Sequence, residues 1–333
     1  MNQKIVLGDL VLSPPLALAP MVGLSHSALR SLIIELGGVG LLFTEMLSVK
    51  RLPSENTESP FLKRSDEERP LFYQLVVGRG QDVLPAVERL HRLDAQGIDL
   101  NIGCPAPKLR QLGAGCALRG DVAEVKRLVQ TLRQATALPL SAKIRLGADL
   151  DEKSLLVFCE MLQGEGVDLL TVHGRLDSEK FCRKPRWDWI GKVKQKMDIP
   201  IIANGGIFSV EDARNCLEQS GADGLMIGRG AACRPWIFAE IARKLYGIQL
   251  SQTSCDPEMI YFRFVELLHE RFRPERRLGR LKQFTHLYGT GLSFGHHLAS
   301  AVQTSLSMAE AEDRAAQYFA KSSDRTRKNS ADA

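Results

Sequence analysis

The stretch "GIDLNIGCPAPKLRQLGAGCAL" (residues 97–118) reads as an apolar strand running into a glycine-studded loop, with Cys104 at the junction. Pro105 stops the strand, and Gly113 and Gly115 follow in the loop. A thiol placed there is a candidate acid or nucleophile, although free cysteine is often an inert small hydrophobe. Lys143, in "SAKIRLG", puts an ammonium inside an apolar strand. Burying it unpaired would be costly, so a partner is expected. That partner is either the electron-rich edge of a ligand such as a flavin ring, or a carboxylate such as Glu45 or an aspartate. His173, in "TVHGR", is as compatible with a satisfied core imidazole as with a ligand contact. Gln74, in "LFYQLVV", breaks an apolar strand with an amide that could read the edge of a flavin or a base, or pair with a neighbouring strand. Two further segments, "IIANGGIFS" and "MIGRGAACRP", end apolar runs in glycines, and Arg229 lies in the second. Glycines there let backbone N–H groups approach an anion closely. The two segments together favour a phosphate site over two ordinary tight turns.

The elements that must position these residues follow from the hydrophobic pattern. Strands are expected at 16–20, 41–46, 71–77, 98–103, 140–146, 169–174, 201–206 and 224–230. Helical patterns lie between them, starting at Ser27, Val83, Val122, Glu152, Asp188 and Val210. Eight alternating units over roughly 230 residues predict an α/β fold, a (β/α)8 TIM barrel. A Rossmann sheet fits less well, because no G-x-G-x-x-G follows the first strand. Pro20, Glu45, Gln74, Cys104, Lys143, His173, Asn204 and Arg229 all fall at or just past strand C-termini, the face on which a barrel builds its active site. From about Trp236 the pattern is helical alone. The expected organisation is a catalytic barrel over 1–238, a smaller C-terminal α-helical domain over 239–320, and a polar, disordered tail over 321–333.

Composition sets the outer limits. At 44% hydrophobic and 25% charged, the chain can bury a large globular core. The seven cysteines contain no C-x-x-C pair, which argues against a metal site or a disulfide framework. No apolar run approaches the ~18 residues of a membrane span. The N-terminus lacks a signal-peptide layout, so a cytoplasmic location with no membrane partner is expected. The net charge of +5 permits a nucleic-acid partner without demanding one. Between Tyr261 and Thr290, seven basic residues stand against three acidic ones, and Lys180, Arg183, Lys184 and Arg186 form a second basic group. Either could track phosphates, and either could equally be a solvated face.

Taken together, the motifs resemble those of the tRNA dihydrouridine synthases. "LAPMVG" (18–23), "FTEM" (43–46), "NIGCP" (101–105) followed by Lys108, "KIRLG" (143–147), "HGR" (173–175), "IIANGGI" (201–207) and "MIGRG" (226–230) stand in that family's order across nearly the whole chain. The resemblance implies an FMN-dependent enzyme that reduces the C5–C6 double bond of uridine in tRNA, with NADPH as reductant; a monomer bound to tRNA is expected, since the sequence gives little basis for oligomerisation. It implies that Pro20, Met21 and Val22 back the flavin, and that Gln74, Lys143 and His173 contact its ring and ribityl chain. Asn204, Gly205, Gly206, Gly228 and Arg229 would hold its tail and phosphate. Asn101, Lys108, Arg145 and Arg175 match substrate-side positions, Asn101 and Arg145 alternatively flavin-side ones. Cys104 matches the catalytic cysteine. Hydride would go to uridine C6 and the Cys104 proton to C5 on the opposite face. A thiol suits this role, since its ordinary pKa of roughly 8.5 keeps it mostly protonated at neutral pH. The base would have to leave its stack to reach the site.

The sequence departs from the family pattern after "HGR". Leu176 stands where threonine is usual, Glu179 and Phe181 where glutamine and tyrosine are usual, and Arg183 where glycine is expected; Trp187 restores the match. Two other readings compete. One is a dihydroorotate dehydrogenase-like FMN barrel acting on a free pyrimidine, which the helical domain and its basic stretch argue against. The other is a non-catalytic RNA-binding barrel, which Cys104, Lys143 and the phosphate site argue against.

Overall fold

The computed structural model describes residues 3–250 and 255–331. The chain opens with an antiparallel hairpin, β1 (Ile5–Leu7) and β2 (Leu10–Leu12). The expected strands start only at residue 16, yet the hairpin has a local signal: the apolar runs Ile5–Leu7 and Leu10–Leu12 flank Gly8 and Asp9, a two-residue turn. The barrel strands follow: β3 (Leu16–Leu18), β4 (Leu42–Phe43), a short β5 (Leu47–Ser48), β6 (Leu71–Val76), β7 (Gly97–Ile102), β8 (Leu140–Arg145), β9 (Leu169–His173), β10 (Ile201–Asn204) and β11 (Gly224–Ile227). All pair in parallel in the order β3-β11-β10-β9-β8-β7-β6-β4, with β5 beside β6. The Leu18 N–H donates to the Leu41 carbonyl at 2.9 Å and joins the two ends of the path. Each expected barrel strand is present, with the helices alternating between them as a (β/α)8 barrel requires.

Those helices are α1 (Ser27–Leu36), α2 (Leu84–Arg92), a short α3 (Pro107–Gln111), α4 (Val122–Ala135), α5 (Glu152–Gly164), α6 (Trp187–Lys196), α7 (Val210–Ser220), a short α8 (Arg229–Cys233) and α9 (Ile237–Tyr246). Asp121, Asp151 and Ser209 cap α4, α5 and α7 by accepting from Glu124, Ser154 and Asp212 N–H groups.

The period of two along each strand separates two cores. Inside the barrel, Ala17, Phe43, Phe72, Leu169, Ile202 and Met226 pack on Ile5, Leu7 and Leu12 of the hairpin, which closes the floor. Outside, Leu16, Leu18, Tyr73, Ile98, Leu100 and Val172 pack with the helices. Above that floor the buried positions turn polar, from Asp99, Ser141 and Thr171 within the strands to Asn101, His173 and Asn204 at or near their C-terminal ends, with Gln74 beside them.

After α9 come α10 (Pro257–Arg271), α11 (Arg277–Tyr288), α12 (Gly295–Gln303) and α13 (Met308–Ala331). They share an aromatic core in which Phe284 stacks on Phe264 at 3.8 Å and on Tyr288 at 5.0 Å between ring centroids. Arg263 of α10 pairs with Glu35 of α1 at 2.7 Å. Residue 238, expected to end the barrel domain, falls inside α9, which packs beside α1 and α7. We propose that the division lies after Tyr246 instead. The stretch from 321, expected to be disordered, continues α13 as far as Ala331. No proline or glycine interrupts 308–331, and the alanines, lysines and arginines there are good helix formers. Residues 332 and 333 of that expected tail lie outside the described residues. Among the described residues, no helix is long and apolar enough to cross a membrane, and no group of three or more His, Cys, Asp or Glu could hold a metal.

Candidate active site

A cleft of about 380 Å³ opens at the C-terminal strand ends. The residues singled out in the sequence converge on it. Pro20, Met21, Val22, Gln74, Asn101, Cys104, Lys143, Arg145, His173, Arg175, Asn204, Gly205, Gly206, Gly228 and Arg229 all line it. Lys108 does not: it is exposed on α3, beyond the cleft wall. Leu287 of α11 also reaches the lining, so the helical region contributes to the site.

Cys104 is half-buried, two residues past the end of β7. Its N–H donates to Asn101 Oδ1 at 3.0 Å, and its carbonyl accepts the Cys116 N–H at 3.0 Å. Asn101 Nδ2 donates to Gln74 Oε1 at 2.8 Å, and Gln74 Nε2 donates to Asp99 Oδ2 at 2.7 Å. Ser141 Oγ donates to the other Asp99 oxygen at 2.6 Å. Burial pushes the Asp99 carboxyl up to about 6, against the two hydrogen bonds and the Lys143 charge, which pull it down. Cys116 is buried outside the cleft lining, and burial raises its thiol.

Lys143 Nζ donates to Asn204 Oδ1 at 2.9 Å, while Asn204 Nδ2 donates to the Met226 carbonyl at 2.7 Å. Of the carboxylates considered, the nearby one is Asp99. Glu45 accepts the Gly23 N–H at 2.6 Å instead. Burial brings the Lys143 ammonium down to about 8, more than Asp99 compensates. His173 is held far below its ordinary range by burial and by the charges of Lys143, Arg145, Arg175 and Arg229. Its Nε2 lies 2.8 Å from Arg175 Nη1. Arginine only donates, so Nε2 is the acceptor and the ring proton sits on Nδ1.

The opposite end of the cleft is built of turns. Gly205 and Gly206 have φ of 111° and 77°, and Trp187 Nε1 donates to the Gly205 carbonyl at 2.9 Å. A side chain at Gly205 would collide with His173, and one at Gly230 with the Ile207 carbonyl. The Arg229 guanidinium lies over the rings of Phe181 and Phe208, at 4.6 and 5.5 Å from their centroids.

Two arginines expected on the substrate side direct their donors into the departing loop. Arg145 donates to the carbonyls of Leu176 and Glu179 at 2.8 and 3.0 Å. Arg175 donates to those of Arg183 and Phe181 at 2.6 and 3.2 Å. Glu179 binds Arg186 through both oxygens, at 2.7 and 2.8 Å, and also accepts the Leu176 N–H. The Arg186 hydrogen bond chiefly draws the Glu179 carboxyl down to about 2. The unusual residues after "HGR" therefore build a loop of their own around these arginines.

Asp99, Ser141, Phe181 and Phe208 belong to the site but were not picked out as candidates in the sequence. A signal for the first two was present. Asp99 lies two residues before Asn101, and Ser141 two before Lys143, so each shares a strand face with a candidate. Phe181 and Phe208 sit in loops, where no periodicity points.

A family model described as "Dihydrouridine synthase (Dus)" matches residues 17–331. The chain is 37% identical over 241 residues to tRNA-dihydrouridine synthase B of Pseudomonas putida, covering 72% of this chain and 71% of that protein. It is 35% identical over 235 residues to probable tRNA-dihydrouridine synthase 1 of Synechocystis sp., covering 71% of this chain and 66% of that protein. A solved 2-naphthoyl-CoA reductase complexed with 2-naphthoyl-CoA superposes with a TM-score of 0.55 at 10% identity. That match covers 73% of this chain but only about half of the other, 52%, and bears on the fold alone.

Proposed function

Since the chain belongs to the dihydrouridine synthase family, we propose that it reduces the C5–C6 double bond of uridine in tRNA, using FMN with NADPH as reductant. The observation that carries this reading is the one cleft shared by half-buried Cys104, Lys143, the glycine turns and Arg229.

The residues present fit a flavin mononucleotide. Lys143 holds an ammonium against an amide oxygen, a weak partner for a desolvated charge; the electron-rich N1–C2=O edge would be a better one. Neutral His173 keeps its Nδ1 proton to donate. Arg229 faces aromatic rings and a carbonyl rather than a carboxylate, and beside the glycine turns it would take the phosphate. Pro20, Met21 and Val22 would form the wall behind the ring. A flavin bound here would supply the hydride for uridine C6. Cys104 would give its thiol proton to C5 and regain one from solvent through the open cleft.

The exposed Arg273, Arg276, Lys180, Arg183 and Lys184 would follow the phosphates of a tRNA docked on a cytoplasmic monomer, a use that a free pyrimidine would not give them. Purified protein should be yellow, should release FMN on denaturation and should form dihydrouridine in tRNA. A colourless protein that binds tRNA would point to the non-catalytic reading. A yellow one that reduces only free pyrimidines would point to the dihydroorotate dehydrogenase-like reading.

A further inference from the structure

Below Cys104, four buried side chains form a line of hydrogen bonds whose direction is set at both ends, by the Asp99 carboxylate, which accepts, and by the Cys104 and Gly103 N–H groups, which donate. Asp99 and Ser141 are wholly buried, as is Gln74. An ionised carboxylate only accepts. With Ser141 Oγ on one Asp99 oxygen at 2.6 Å, the other can meet only the amide nitrogen of Gln74, at 2.7 Å. Gln74 must then turn its oxygen toward Asn101, whose nitrogen donates to it at 2.8 Å. Asn101 in turn must face its oxygen to the loop, where the N–H groups of Cys104 and Gly103 donate at 3.0 and 3.3 Å. Flipping either amide sets nitrogen against nitrogen and oxygen against oxygen. Flipping both would need a proton from Asp99 and would also set the Asn101 nitrogen against the Cys104 and Gly103 N–H groups.

Past the end of the sheet, the Cys104 backbone is held by the Cys116 N–H on its carbonyl and, at its own N–H, by this line. The β7–β8 ladder ends at Ile102 and Ile144, and Pro105 has no N–H to offer. We propose that Asp99 is a positioning residue for Cys104, acting through the enforced amide orientations of Gln74 and Asn101. Its consequence for the reaction rests on Cys104 being the proton donor; the positioning itself does not.

The test is the rate at which iodoacetamide alkylates Cys104 in the full-length protein as purified, read residue by residue by mass spectrometry, with exposed Cys182 as internal standard. Asp99→Leu removes the acceptor and should speed Cys104 alkylation about tenfold, the equivalent of one net hydrogen bond. Gln74→Met cuts the line one link later and should do the same, and it decides the matter if Asp99→Leu does not fold. Asp99→Asn should restore the wild-type rate, since its oxygen can accept from Gln74 while its nitrogen donates to Ser141. Ser141→Ala removes a hydrogen bond of equal burial but leaves the amide order intact, and should also react at the wild-type rate. Wild-type rates in both Asp99→Leu and Gln74→Met, or equal acceleration in Ser141→Ala, would overturn the proposal. These rates need no RNA, so a failure to make dihydrouridine would leave their outcome standing.

Discussion

Asp99 carries its charge where burial opposes it, and this has a measurable sign. Its carboxyl is raised from 3.8 to about 6. A raised group favours the folded state below its unfolded pKa, and that contribution is lost as pH rises through the folded value. Wild type therefore bears the full penalty above about pH 6. Asp99→Asn stays neutral at every pH and should be more stable near pH 8 by up to about 3 kcal/mol, from a shift of about two units. The gain should fade toward pH 4. Urea unfolding of the two proteins at a series of pH values checks this; an equal gain at every pH would contradict it. At this scale the sequence was partly legible. Cys104, Lys143, His173 and Gln74 stood out because each breaks an apolar strand near its end. Asp99 does the same in "GIDLN", but Asn101 and Cys104 beside it are the more conspicuous groups. The partner of Lys143 could not be read at all. Asn204 lies 61 residues away, and only the closed barrel sets the two face to face.

At the scale of elements, the end of the cleft where we propose the phosphate binds depends on backbone shapes that favour glycine. Gly205 has a φ of 111°, and a Cβ there would sit 2.6 Å from His173 Cδ2. Gly205→Ala should weaken FMN binding by about 5- to 150-fold, the equivalent of a strained backbone of about 1–3 kcal/mol. Fluorescence titration of the apoprotein with FMN reads the effect, and an unchanged affinity would remove this turn from the phosphate site. The barrel strands were legible because parallel strands covered on both faces leave apolar, β-branched runs between helical patterns. The floor hairpin β1–β2 lies outside that alternation of strands and helices, and its signal is the Gly8-Asp9 turn between two apolar runs. The buried pair of Arg30 on α1 with Glu68 in the loop before β6, at 2.5 Å, was not legible. Nothing local ties those two positions, yet Arg30 also donates to the Ser25 carbonyl, and Ser25 Oγ accepts the Met21 N–H beside the cleft.

The whole molecule joins two parts at the cleft. Gln283 of α11 donates to the Val22 carbonyl at 2.7 Å, Arg263 clasps Glu35, and Leu287 completes the lining. The helical region was legible from the end of strand patterning, but its boundary was not, because α9 and the helices after it share one apolar periodicity. Charge counting overstated the surface left for RNA. Arg263 is consumed by Glu35, Glu266 and Glu270, and Arg186 by Glu179. Exposed Arg273 and Arg276 have no such carboxylate among the described residues. Replacing both with glutamine should weaken tRNA binding and flatten the slope of log affinity against log salt by about one for each phosphate left without its cation, with FMN affinity unchanged. Filter binding across a salt series measures it, and an unaltered slope would place the RNA elsewhere.

The most direct measurement is dihydrouridine itself, by nucleoside mass spectrometry of dihydrouridine-free tRNA incubated with NADPH and either the wild-type enzyme or Cys104→Ala. The expected result is dihydrouridine from the wild type and a loss of about 10²-fold or more in the flavin-loaded variant, the scale of a missing general acid. Dihydrouridine at the wild-type rate from Cys104→Ala, or none from a flavin-loaded wild type, would contradict the account.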